Sequence, residues 1–134
     1  MKPRQGRSIH LPGVTHGQAP IPMGARVGNM IYSSALLGKD PSTDKLPADG
    51  PAQMQWLFHN LRSFLALAGA SLDDVVHVTA YLRDNSLREA LNAQWVACFA
   101  DPDDRPARHT HLNPDMPGGV LAQLEIVAVA PDAA

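Results

Sequence analysis

The chain has 134 residues, a formal net charge of −2, a pI near 6.3 and 45% hydrophobic residues. That length suits a single domain, and the apolar content supports a packed core rather than a disordered chain. The slightly acidic balance offers no basic footprint for nucleic acid. No run approaches the roughly 18 apolar residues of a membrane span, so a cytoplasmic protein is expected.

Residues 1–25 are rich in Pro and Gly, with at most one short strand around Ser8–Leu11. Lys2, Arg4 and Arg7 make the start basic but bring no apolar core of signal-peptide length. Arg26–Leu37 holds a strand built on Val27, Met30, Ile31 and Tyr32, and Asp40-Pro41-Ser42-Thr43-Asp44 is turn chemistry. Asp49-Gly50-Pro51 opens a helix, since proline is tolerated in the first turn. Met54, Leu57, Phe58, Leu61, Phe64 and Leu65 repeat at helical spacing until Gly69 stops it. Val75–Leu82 is a strand. Ser86-Leu87-Arg88-Glu89 has the pattern of a capping box, opening a second helix that runs to about Phe99 and buries Leu87, Leu91, Trp95 and Phe99. Cys98, the lone cysteine, is expected to be a small buried hydrophobe. After the break at Asp101-Pro102-Asp103-Asp104 come two strands, near Arg108–Leu112 and Val120–Ala130.

A helix between consecutive strands favours parallel pairing through a right-handed crossover. The expected fold is therefore α+β, a single mixed sheet with two helices packed on one face. Strand parity puts Val127 and Val129 with Gln123 and Glu125 on the other face, which the chain has nothing left to cover. An oligomer follows from that.

Arg108 enters its strand with no acidic residue beside it, and a guanidinium fork matches a carboxylate bidentately. The ordinary alternative is a surface arginine paired with Asp103 or Asp104. His109 and His111, two apart on a strand, share a face and invite a metal. They point opposite Arg108 and Thr110, and the sequence nominates no further ligands, so packed or surface histidines are expected and no metal.

Four segments occur in an order and spacing that resemble the Rid (YjgF-like) imine deaminases. These are Gly28-Asn29-Met30-Ile31-Tyr32-Ser33-Ser34, Ala68-Gly69-Ala70-Ser71-Leu72-Asp73-Asp74-Val75-Val76, Leu91-Asn92-Ala93, and Pro106-Ala107-Arg108 followed by Met116-Pro117. The resemblance spans about Ala19–Ala130 and implies one Rid domain over 1–134, residues 1–18 being a partly irregular N-terminal segment. It implies a chorismate-mutase-like fold, a homotrimer with its sheets inward, ligand clefts between subunits, and no cofactor.

The implied reaction is hydrolysis of a small carboxylate-bearing enamine or imine to a 2-keto acid and ammonia. In it Arg108 grips the carboxylate. Ile21, Ser34, the backbone N–H of Ala35, Asn92 and Thr110 fall at substrate-binding positions, and Gln123 at that of the residue orienting the attacking water. Ala35, Ile21, Thr110 and Gln123 depart from the family's usual glycine, tyrosine, cysteine and glutamate. An amide cannot accept the proton of that water; Glu125 shares the face but stands roughly 6–7 Å further along. These departures support a second reading, a non-catalytic small-molecule-binding or chaperone-like trimer. Endoribonuclease activity, claimed for the family, is disfavoured by the acidic pI.

Overall fold

A computed structural model describes residues 6–132. Lys2 and Arg4 of the expected irregular segment lie outside the described residues. Seven strands and two α-helices follow in the order β1 (Ser8–Ile9), β2 (Gly24–Val27), β3 (Met30–Ser33), β4 (Leu36–Leu37), α1 (Gly50–Leu67), β5 (Val75–Leu82), α2 (Arg88–Cys98), β6 (Ala107–Leu112) and β7 (Ala122–Val129).

The expected strand built on Val27, Met30, Ile31 and Tyr32 is in fact divided between β2 and β3, the two arms of a hairpin, and Leu36–Leu37 form a separate short strand. Gly28 takes a left-handed φ of 58°, which glycine adopts at no steric cost, so the Gly28-Asn29 pair turns the chain and Val27 faces Met30 across β2 and β3. At Gly24 the absent side chain matters for packing. A Cβ there would collide with the buried Phe64 ring and the Tyr32 carbonyl oxygen.

Helix α1 starts where expected: Asp49 accepts from the Ala52 N–H at 3.0 Å, and Pro51 sits in the first turn. Its apolar stripe (Met54, Leu57, Phe58, Leu61, Phe64, Leu65) is buried against the sheet, each large side chain worth roughly 1.5–3 kcal/mol of transfer free energy. Two polar residues are buried with it. Gln53 donates to the carbonyls of Pro47 and Gly119, both at 2.7 Å, and accepts from the Leu121 N–H at 3.0 Å. Asn60 donates to the Leu37 and Lys39 carbonyls at 2.9 Å each. Gln53 stitches α1 to the loops before it and before β7, and Asn60 stitches it to the end of β4 and the loop that follows.

The start of α2 corrects the expected capping box. Asp84 takes the capping role, its Oδ1 accepting from the Ser86 N–H at 2.8 Å and from the Ser86 hydroxyl. A short 3-10 turn over Asn85–Leu87 precedes the α-helix, so Ser86 lies inside that turn instead of capping it. The buried stripe Leu87, Leu91, Trp95 and Phe99 is as expected. Cys98 is only half-buried, at the edge of a cleft of about 420 Å³ shared with Arg62 and Leu72. Arg62 Nη2 donates to its Sγ at 3.1 Å; burial raises the thiol pKa, and the arginine charge opposes that.

The sheet runs β1-β2-β3-β7-β5-β6, with β4 also pairing β7. Only β5 and β6, joined through α2, are parallel; the other pairs are antiparallel. The last strand, β7, is therefore central, between β3 and β4 on one side and β5 on the other. Both helices cover the face built from Val78, Ala80, Leu82, Leu124, Ile126 and Ala128, all buried. The other face carries Met30, Tyr32, Val27 and Val129, each more than 40% exposed, beside Val127. A single chain leaves this apolar surface open. Among the described residues, no helix is long and apolar enough to cross a membrane.

Candidate active site

The sequence-derived site residues fall into two groups. The first lies on the edge strand β6. Arg108 pairs with Val78 and Thr110 with Ala80, so both side chains share the helix-side face with those buried neighbours. Among the described residues Arg108 has no acidic side chain within ion-pair distance. Its Nη2 donates to Asn92 Oδ1 at 2.8 Å, and its guanidinium lies over the Trp95 ring, 4.8 Å from the centroid. Nη1 is buried without a hydrogen-bond partner among the described residues, so the fork holds unspent donor capacity. Burial lowers the pKa of this group, and the charge of Arg88 lowers it further. A cation so placed gains from an incoming anion, because an unpaired, partly desolvated charge is costly.

Trp95 was legible as a packing residue and Arg88 only as part of a cap; neither was assigned to the site. The signal was helical spacing. Residues 88, 92 and 95 follow i, i+4, i+7 and share one face of α2, the face on which Asn92 already sat. Asn92 is thus the residue that positions Arg108, through one charge-assisted hydrogen bond.

The second group gathers around β4. The Ser34 N–H donates to the Met23 carbonyl at 2.7 Å, which anchors the segment carrying Ile21 against the Ser34-Ala35 corner. His16, unassigned by the sequence, has its Nε2 2.7 Å from the Ala35 carbonyl oxygen. Ile21 is 50% exposed and borders a cleft of about 140 Å³ with His16 and Met23. Ser33, not Ser34, makes the hydroxyl contact to the sheet, accepting from the Ile126 N–H at 2.8 Å. Immediately after the corner, Leu37 of β4 is the partner of Gln123.

Gln123 is on the uncovered face, in register with Tyr81 and, one strand further, His111. Arg108 is on the opposite face. Two strand spacings and three residues separate them, roughly 10 Å across and 10 Å along. Within one chain they cannot act on the same small molecule. Glu125, in register with Thr79, shares Gln123's face.

His109 and His111 also lie on that face, away from Arg108, as parity required. His77 joins them: its ring is 5.1 Å from His109, edge to face, while His111 stacks on Tyr81 at 5.4 Å. Among the described residues, no group of three or more His, Cys, Asp or Glu has a geometry that would hold a metal ion.

The chain is similar to known proteins over most of its length. Residues 18–131 match the family model described as Endoribonuclease L-PSP. The chain is 30% identical over 111 residues to the 2-iminobutanoate/2-iminopropanoate deaminase of Escherichia coli K12, covering 82% of this chain and 87% of that one. It is 31% identical over 117 residues to a RutC family protein of Aquifex aeolicus, covering 84% and 94%. Among solved structures, RidA from the Antarctic bacterium Psychrobacter sp. PAMC 21119 superposes with a TM-score of 0.83 at 31% identity, covering 94% of this chain and 99% of that one.

Proposed function

This chain belongs to the endoribonuclease L-PSP (YjgF/RidA) family, and we propose that within it the protein is an imine deaminase acting on small 2-imino carboxylates. One observation carries the reading: Arg108 is held by Asn92 and Trp95 and, among the described residues, has a buried Nη1 without a hydrogen-bond partner and no carboxylate within ion-pair distance. The deaminase name of the Escherichia coli relative supports it.

In the reaction, the Arg108 fork binds the substrate carboxylate and fixes the C=N bond beside it. Water adds to the imine carbon, the tetrahedral intermediate loses ammonia, and a 2-keto acid remains. Imines hydrolyse readily, so orientation and electrostatic positioning supply most of the acceleration. Thr110, two residues along the same strand face, offers a hydroxyl to the bound molecule. Ser34, Ala35 and Ile21 contribute the opposite wall and Gln123 holds the water, all from a neighbouring copy.

A closed homotrimer meets that requirement. The open apolar face of Met30, Tyr32, Val127 and Val129 supports self-association, and cyclic symmetry lets each copy lend its β4 corner to the next copy's Arg108. A second reading, a binding module with little turnover, is favoured by one specific feature, the Gln123 amide, which cannot take a proton from water.

Ammonia release from an imine generated in situ by a pyridoxal-phosphate lyase tests the proposal. Wild type is expected to accelerate release over the uncatalysed rate, and Arg108→Ala to return it to that rate while remaining folded. Arg108→Lys is expected to recover only part, because the fork is lost. Wild type no faster than buffer, but binding 2-keto acids through Arg108, would leave the binding module.

A further inference from the structure

A second arginine lies on the helix that positions the first. Arg88 and Asn92 are four residues apart on α2, so they sit one above the other on the same helix face, Cα atoms about 6 Å apart. Asn92 is the residue that Arg108 Nη2 reaches at 2.8 Å. Arg88 spends its Nε–H on Asn85 Oδ1 at 2.9 Å, which turns the side chain and leaves its two Nη groups for other partners. Its charge is felt by Arg108, as the second cause after burial of that group's depressed pKa.

No carboxylate separates the pair. Among the described residues, neither arginine has an acidic side chain within ion-pair distance. The acids nearest in sequence are directed elsewhere: Asp84 is engaged by the Ser86 N–H and hydroxyl, and Glu89 lines a groove with Pro51 and Ala93. Two like charges near enough for one to lower the pKa of the other, one of them partly desolvated, are mutually unfavourable until an anion joins them. One carboxylate satisfies one fork. Two forks ask for two.

We propose that Arg88 is a specificity-determining residue that receives a distal carboxylate of the substrate while Arg108 holds the carboxylate next to the imine. The substrate class is then the 2-imino form of an amino dicarboxylic acid. Water adds to the C=N carbon, the C–N bond breaks, and a 2-oxo dicarboxylate and ammonia leave without any redox step. This inference rests on the deaminase-type site proposed above.

Calorimetric titration of the full chain with 2-oxoglutarate and with 2-oxobutanoate, at equal ionic strength, tests it. Wild type is expected to bind the dicarboxylate about tenfold or more tightly, the effect of one charge-assisted contact in a partly exposed site. Arg88→Gln is expected to bring the ratio of the two affinities toward one, and Arg88→Lys to keep part of the preference, with melting curves confirming that each variant is folded. Should the glutamine variant not fold, the lysine variant and the wild-type ratio still decide. A wild-type ratio near one, or a ratio unchanged in Arg88→Gln, overturns the assignment of Arg88. If 2-oxobutanoate binds in an Arg108-dependent way without any dicarboxylate advantage, only this inference fails. If neither acid binds, or binding survives Arg108→Ala, the carboxylate site itself fails and this inference with it.

Discussion

Asn92 is the most discriminating position to perturb, because stability and ligand binding should move in opposite directions. Its Oδ1 accepts from Arg108 Nη2 at 2.8 Å on an exposed stretch of α2. Asn92→Asp preserves the shape and replaces that amide oxygen with a carboxylate, giving Arg108 an internal counter-ion. The new pair is partly exposed, so it should stabilise the fold by only about 0.3–1 kcal/mol. A substrate carboxylate on the same guanidinium would then sit about 5 Å from the new charge. At effective dielectric constants between about 20 and 80, that repulsion is about 1–3 kcal/mol, or roughly a 5- to 200-fold loss of affinity. Asn92→Ala removes the acceptor without adding charge, so both stability and affinity should fall, the affinity by about five- to tenfold. Melting curves and calorimetric titration with 2-oxobutanoate on all three proteins separate these outcomes. If Asn92→Asp binds the keto acid as well as wild type, Arg108 is not the carboxylate grip. If its affinity falls only in step with its melting temperature, Asn92 is a structural residue and the electrostatic reasoning is wrong.

Gln123→Glu supplies a proton acceptor at the position proposed to hold the attacking water. Turnover of saturating imine should rise toward the low end of the roughly 10²–10⁴-fold range of general-base assistance, and no change with wild type already fast would show that the amide suffices. Light scattering should give about three times the chain mass, and Val127→Asp, placed on the open apolar face, should shift it toward monomer with loss of any deaminase activity. A wild-type monomer at micromolar concentration would remove the intersubunit site. Gly24→Ala forces a methyl group against Phe64 and the Tyr32 carbonyl and should cost about 1–3 kcal/mol in chemical denaturation; a smaller loss would show that Phe64 repacks freely.

Where the sequence was read correctly, short-range physics was enough. The stripe of α1 repeats every 3.6 residues and buries the side chains so spaced, and parity along β7 sorted Leu124 and Ile126 from Gln123, Glu125 and Val127. Asp49 and Pro51 marked a helix start because capping is local. The misreadings were local too, but turned on conformation that residue type only permits. Gly28-Asn29 was open to a turn, and the pairing of Val27 with Met30 made it one. Asp84 took the cap from Ser86 because the 3-10 turn reached the serine first.

Position in space was a different matter. No periodicity says that the last strand inserts between β4 and β5, because that placement depends on which sheet edges stay open after the helices have packed. The same insertion decided the site. Residue chemistry and the family resemblance nominated Arg108 for a carboxylate, and the resemblance alone nominated Gln123 for the attacking water. That they lie on opposite faces of one sheet, with Trp95 against the first, followed only once strand neighbours were known. Residue chemistry is carried by the sequence one position at a time, whereas which residues share a site depends on contacts between segments up to a hundred residues apart.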